Sequence, residues 1–375
     1  MSRAETKTDK ELVCTIALGM VPGVGDINAR KLIRHMGSAR AVFNESGRNL
    51  MLIPGIGKTI ASHLKSKTFI DKARNELDYI HKHDINIKCY DDPDYPRRLK
   101  ECPDAPLIIY YKGNASLNEE RIISIVGTRN VTRRGKDICN SLVSELAAEY
   151  PELVIVSGLA YGVDITAHKA ALRENLKTVA VLGHGFRTLY PSLHLPEAKE
   201  ILRHGALVTD FPSYETPERN NFLKRNRIIA GLSDATLIIE SGRKGGAMVT
   251  ADIAMSYNRE VMAVPGFPGE RWSEGCNLLI KSNKAALIES SGDIFYNLNW
   301  PSKKEKSRQK KLFTDDLSPL EEKIFSLFSE VAELSADEIS RLMNKPLHHL
   351  SSALLKLEFS GLISSIPGNI YRKNI

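Results

Sequence analysis

Between residues 122 and 264 the chain repeats one pattern: a short apolar run, a break rich in glycine, serine or proline, then a segment long enough for a helix. The runs are Ile122–Val126, Leu153–Val156, Thr178–Leu182, Ala235–Ile239 and Val261–Val264. An uninterrupted apolar run suits a strand covered on both faces. A helix-length crossover between two such strands leaves them parallel. The spacing therefore predicts an α/β core: a parallel sheet with helices on both faces. Two earlier runs, Ile85–Tyr90 and Leu107–Tyr111, are expected to form an accessory pair ahead of the main series.

This α/β region, 83–298, has neighbours on either side. Residues 1–82 carry a near-duplication. Val21-Pro22-Gly23-Val24-Gly25 precedes Ala29, Leu32 and Ile33, and Ile53-Pro54-Gly55-Ile56-Gly57 precedes Ile60, Ala61 and Leu64. Each copy is a glycine turn leading into a helix with an apolar face, and a helix around Ala39–Phe43 lies between them. The region is expected to be an all-α, SAM-like tandem helix-hairpin-helix domain. Its glycines permit backbone angles closed to other residues, and the exposed N–H groups at a helix start favour an anion. Arg30 and Lys58 are placed to add charge, although two tight helix–helix turns with no ligand would leave the same trace. Pro54–Thr59 mimics a phosphate-binding P-loop but lacks its first glycine, where Leu52 stands. Residues 299–316 form a basic linker with no hydrophobic periodicity. Residues 317–375 predict a winged helix: three helices, then a two-stranded wing around Pro367-Gly368-Asn369. Its third helix offers only Lys345, His348, His349 and Lys356, so a protein contact or a structural role fits it as well as duplex binding.

A net charge of +7 favours a polyanionic partner without specifying a fold. The five cysteines, Cys14, Cys89, Cys102, Cys139 and Cys276, are scattered and odd in number. They suggest free thiols in a reducing cytoplasm and neither a disulfide framework nor a structural zinc site. The first residues are polar, with no apolar signal segment, and no apolar run is long enough to insert into a membrane. No metal or other cofactor is expected.

The ligand site of such a sheet lies beyond the C-terminal ends of its strands. Three of those ends carry glycine with serine or threonine: Gly127-Thr128-Arg129-Asn130, Ser157-Gly158 running on to Tyr161-Gly162, and Ser241-Gly242 running on to Gly245-Gly246. Glycine lets a phosphate approach closely, backbone N–H groups donate to it, and arginine grips it. The densest feature is Arg219 to Ile229, where Arg219, Lys224, Arg225 and Arg227 surround Phe222 and several amides, including Asn221. Cations neutralise phosphates and an aromatic ring offers a base a stacking surface. A charged helix start with Phe222 in the core is the plainer alternative.

Taken in order, these motifs resemble the DNA-processing protein A (DprA/Smf) family over about residues 90–290. They are Ile125 to Arg129, Ser157 to Ala160, Asn221 to Gly231, Gly245 to Ala247 and Ala263 to Gly266, with Tyr95-Pro96, Pro103 to Pro106 and Tyr111 to Gly113 upstream. The resemblance implies an extended Rossmann-like core with helix-hairpin-helix and winged-helix accessories. It implies a cytoplasmic, homodimeric protein that binds single-stranded DNA without catalysis and loads the RecA recombinase in natural transformation. By motif position it implies that Arg129 binds a phosphate, that Lys224 and Arg225 line the same pocket, that Gly245 and Gly246 donate backbone hydrogen bonds, and that Phe222 stacks on a base. Gly127, Thr128, Ser157, Gly158, Tyr161, Asn221 and Arg227 complete the expected DNA-binding set. Two positions depart from the family pattern. Tyr161 replaces an arginine, removing a possible phosphate contact, and Leu223 replaces a proline, loosening the turn that orients Phe222.

Two other functions compete. One is a Rossmann-like nucleotide N-glycosidase or phosphoribohydrolase, with Glu240, Asp164 and His168 as its acid and base groups. The corresponding loop, Ser241 to Ala247, lacks that class's Pro-Gly-Gly-x-Gly-Thr signature. The other is a transcription regulator acting through the winged helix. The sequence contains no His-Glu-x-x-His, Walker A or Gly-x-Ser-x-Gly motif.

Overall fold

The computed structural model describes residues 7–301, 317–329, 331, 333–360, 362–366 and 369–373. Most of the predicted linker, 302–316, and the wing-turn residues Pro367 and Gly368 lie outside the described residues. The chain divides into two compact units, Met1–Trp300 and Pro301–Ile375.

The first unit opens with six helices: α1 (Lys7–Met20), α2 (Gly25–Met36), α3 (Ala39–Asn44), α4 (Gly47–Leu50), α5 (Lys58–Leu64) and α6 (Thr68–Lys82). The two glycine turns precede α2 and α5. Gly23 (φ +84°), Gly25 (φ +56°) and Gly55 (φ +94°) hold left-handed angles that a side chain would resist.

A nine-stranded sheet follows: β1 (Asn86–Cys89), β2 (Ile108–Gly113), β3 (Ile122–Val126), β4 (Val154–Ser157), β5 (Lys177–Val181), β6 (Ala206–Thr209), β7 (Ala235–Ile238), β8 (Glu260–Ala263) and β9 (Ala286–Leu287). Its order is β1-β2-β6-β5-β4-β3-β7-β8-β9. From β6 to β9 every pairing is parallel; β1 and β2 add an antiparallel edge. That edge corrects one expectation, because the supposed accessory pair continues the main sheet through β2 and β6. β6 and β9 were not foreseen.

Both sheet faces are apolar for the reason the runs suggested. Along β3, Ile122 and Val126 join one core while Ile123 and Ile125 join the other. Each such buried aliphatic contributes about 1.5–3 kcal/mol of transfer free energy. Helices α8 (Arg133–Glu149), α9 (Val163–Arg173), α10 (Leu195–His204), α11 (Arg219–Gly231) and α12 (Gly246–Ser256) supply the crossovers, with a short α7 (Arg97–Lys100) before the sheet and α13 (Glu274–Lys281) and α14 (Ser291–Leu298) after it. The N-terminal helices are not a separate body. Ile85, Leu107, Ile108 and Tyr110 from the β1–β2 edge share one core with Ile16, Leu32, Leu50 and Leu77.

The second unit has helices Pro319–Ser326, Ala336–Met343 and Leu347–Phe359 and an antiparallel sheet of Glu333–Ser335, Ile370–Lys373 and Ile363–Ile366. Capping boxes at Ser318 and Ser335 start the first two helices. This is a winged helix with a third strand beyond the two expected.

Candidate nucleic-acid interface

The strand order reverses at β3, which has β4 on one side and β7 on the other. Loops leaving the C-terminal ends of β3 and β7 diverge there and open a crevice. A cavity of 720 Å³ occupies it, with walls from Gly127 to Asn130 after β3, Ser241 to Ala247 after β7, and one face of α11.

The turn after β3 is fixed by the backbone. Thr128 N–H donates to Glu240 O (2.7 Å) and Val163 N–H donates to Thr128 O (3.1 Å). The Thr128 amide is thus committed within the protein and is not a free phosphate donor, a correction to the expected cradle. A Cβ on Gly127 would lie 2.4 Å from Val163 Cγ2, and one on Gly162 (φ +80°) would lie 2.2 Å from Thr128 O. These glycines let β3, α9 and the β7 loop close on one another and leave Arg129 exposed at the rim.

On the facing wall α12 begins at Gly246 with Gly245 as its N-cap and no side-chain cap. Its first N–H groups carry the positive end of the helix dipole. A Cβ on Gly246 would meet nothing within 4 Å. The exposed Lys244 and Arg219 complete the rim.

Helix geometry sorts the cation-rich segment. At about 100° per residue, Arg219, Phe222, Arg225, Asn226 and Ile229 fall on one side of α11, and that side lines the cavity. Lys224 and Arg227 project elsewhere. Lys224 is exposed outside the cavity. Arg227 donates to Asp26 (2.9 Å), to Asp210 and to Asp104 O, tying α11 to α2 and to the loops after β6 and before β2. Its guanidinium is spent on these internal acceptors.

Phe222 is half-buried in the first turn of α11, with the Tyr190 ring 5.5 Å away and the Arg129 guanidinium 5.6 Å from its own ring centre. The helix itself orients Phe222, so Leu223 loosens no turn. Arg225 is 3% exposed and donates to Val181 O (2.6 Å). A Cβ on Gly158 would lie 1.9 Å from its Nη1, so Gly158 exists to admit this side chain. Burial pulls the Arg225 guanidinium down to about 10, opposed by the charge of Asp164. Asp164 lies on the cavity floor, and burial raises its carboxyl against the opposing effect of Arg225. Arg225 therefore lines the cavity, as expected by motif position, as a buried charge bonded to Val181 O.

Other expected residues serve the scaffold. Ser157 is fully buried and donates to Ile125 O (2.6 Å). Asn221 holds the preceding loop through Glu215 (3.1 Å) and Thr216 O (3.3 Å). Tyr161 is 40% exposed, stands edge-on to His194 and faces a neighbouring groove, not this cavity. Sequence reasoning missed Tyr190 and Trp272, which line the cavity. The loop glycines before Tyr190 and the Pro-Gly stretch before Trp272 were the available signals.

The groups considered as acid and base are otherwise engaged. Glu240 accepts from Thr132 N (2.9 Å) and Thr132 Oγ1 (2.6 Å) at the start of α8. His168 is fully buried against Thr178 Oγ1 (2.7 Å), and burial drives its imidazole down to about 3. Among the described residues no group of His, Cys, Asp or Glu is arranged to hold a metal, and no helix is long and apolar enough to cross a membrane.

A doubly wound parallel sheet opening at its switch point places the chain among the Rossmann-like α/β proteins. The family model described as DNA recombination-mediator protein A matches residues 86–299, and that of the DprA winged helix domain matches residues 309–369. Protein Smf of Synechocystis is 31% identical over 96% of this chain and 98% of its own length. The crystal structure of DNA processing protein A from Streptococcus pneumoniae aligns with a TM-score of 0.61 and 27% identity, covering 79% of this chain and 98% of that one. A structure that describes the single-stranded DNA binding mode of the Helicobacter pylori protein aligns with a TM-score of 0.52 and 27% identity, covering 58% and 97%. The chain belongs to the DNA recombination-mediator protein A family, DprA/Smf.

Proposed function

We propose that the switch-point cavity binds single-stranded DNA, and that the protein, as a cytoplasmic homodimer, protects incoming DNA and loads RecA onto it in natural transformation. The observation that carries this reading is the half-buried Phe222 set among Arg129, Arg219 and the uncapped start of α12. The ring gives any base a stacking face, while the surrounding cations and N–H groups take phosphates without reading sequence. The Helicobacter relative, described as binding single-stranded DNA, supports the same reading.

Fluorescence anisotropy of labelled oligothymidylate against a duplex of equal length tests it. The single strand should bind more tightly, and its affinity should fall linearly with salt on logarithmic axes, with a slope of about −0.7 per phosphate contact. Equal affinity for the duplex would count against the reading. The hand-over is tested by RecA filament assembly on strands coated with single-strand-binding protein, which this protein should accelerate. Sedimentation of the purified chain tests the dimer.

A further inference from the structure

A second groove, of 440 Å³, adjoins the switch-point cavity and shares Arg129 and Asn130 with it. It runs between α8 and α9. Lys136 and Asn140, one turn apart on α8, face Thr166, Lys169 and Arg173 on α9. Its lining holds four cations and no carboxylate. Tyr161 lies at the cavity end, 40% exposed.

We propose that this groove is a second subsite for the same DNA strand, taking the nucleotides that leave the Phe222 cavity past Arg129. The inference rests on the proposed single-strand reading and extends its footprint. Lys169 and Arg173 stand about 6 Å apart along the helix axis, a spacing that lets successive phosphates of an extended strand meet one cation each. Tyr161, beside the shared Arg129, offers the next base a stacking face. Its substitution for the family's arginine thus shifts a contact from charge to stacking instead of deleting it. The cations are available to a ligand. Lys136 is exposed. Lys169 pairs with Glu197 at 2.9 Å and Arg173 with Glu174 and Asn140 at 3.4 Å; the side chains of the two cations are themselves more than half exposed, and such surface contacts yield readily to phosphate.

The test uses the full chain with labelled oligothymidylates of about five and about fifteen nucleotides, within the range of single-strand site sizes. The double variant Lys136→Ala/Arg173→Ala should bind the long strand at least about tenfold more weakly, with a salt slope shallower by about 1.4. Its affinity for the short strand should be unchanged, which also shows that the variant is folded. Tyr161→Ala should weaken the long strand alone, with the salt slope intact. Undiminished binding of the long strand by the double variant would overturn the proposal, as would equal losses on both lengths. If Arg129→Ala leaves the short strand bound as before, the single-strand reading fails and this extension fails with it.

Discussion

The N-terminal hairpins and the rim of the sheet present the same local device, a glycine turn feeding a helix start, yet they use it differently. At the first hairpin Asp26, in the opening turn of α2, accepts from Leu107 N–H (2.8 Å) and from Arg227 (2.9 Å). Arg30 donates to Pro103 O and lies 4.6 Å from the Tyr90 ring centre, and Lys31 donates to Pro54 O. These cations satisfy the protein's own acceptors. At the sheet rim Arg129, Arg219 and Lys244 are exposed around an open cavity. The hairpin cations are thus held by acceptors within the protein, whereas those of the rim stay open to solvent.

The contrast breaks first, and with the largest effect, at Arg227. Arg227→Ala leaves Asp210 buried without its partner and should cost about 3 kcal/mol of stability in urea unfolding. The affinity of the folded variant for single-stranded DNA should stay within about twofold. A selective loss of DNA binding would return Arg227 to the interface. Arg129→Ala should do the reverse, weakening oligothymidylate by about 10- to 100-fold, the range for a charge-assisted contact. Its stability should stay within about 0.5 kcal/mol, because the side chain is exposed.

Acid sharpens the picture of the sheet half. The folded state holds His168 neutral down to about pH 3, whereas the unfolded chain protonates it near its ordinary value of 6.5. Between those values the unfolded state binds more protons. Stability is thus retained above about pH 6.5 and lost as pH falls, by up to about 1.4 kcal/mol per pH unit from this one group. His168→Asn should flatten that slope in urea titrations between pH 6 and 4. The smallest effect belongs to the second hairpin. Lys58→Ala should change oligothymidylate affinity by less than about twofold, and a larger loss would make that hairpin part of the DNA path.

Much of this architecture was legible because apolar runs and crossover lengths are local signals. Ile122–Val126 appears residue for residue as β3. β6 escaped notice because Ala206–Thr209 is a four-residue strand following directly on α10. The β1–β2 edge was misread because its antiparallel pairing onto β6 joins residues nearly a hundred positions apart, as in Tyr110 with Thr209. At the site, glycine-rich strand ends were readable as a class, but the fate of each cation was not. Arg225 and Arg227 differ by two positions and by about 200° around α11, so one lies under the cavity and the other faces the N-terminal helices. Applying the helical wheel to Arg219–Gly231 would have separated them. That Ser157 braces the scaffold depends on the Ile125 carbonyl of the neighbouring β3, which no local pattern encodes.

The mingling of helix and strand side chains around Tyr110 has a practical corollary for dissecting the molecule. A recombinant fragment opening at residue 83 would strip the greasy cover from Ile85, Leu107, Ile108 and Tyr110. Such a piece would be prone to clumping on its naked flank. Biochemists wanting the sheet-bearing portion alone should trim behind Trp300, where the compact body closes, and keep α1 through α6 in place.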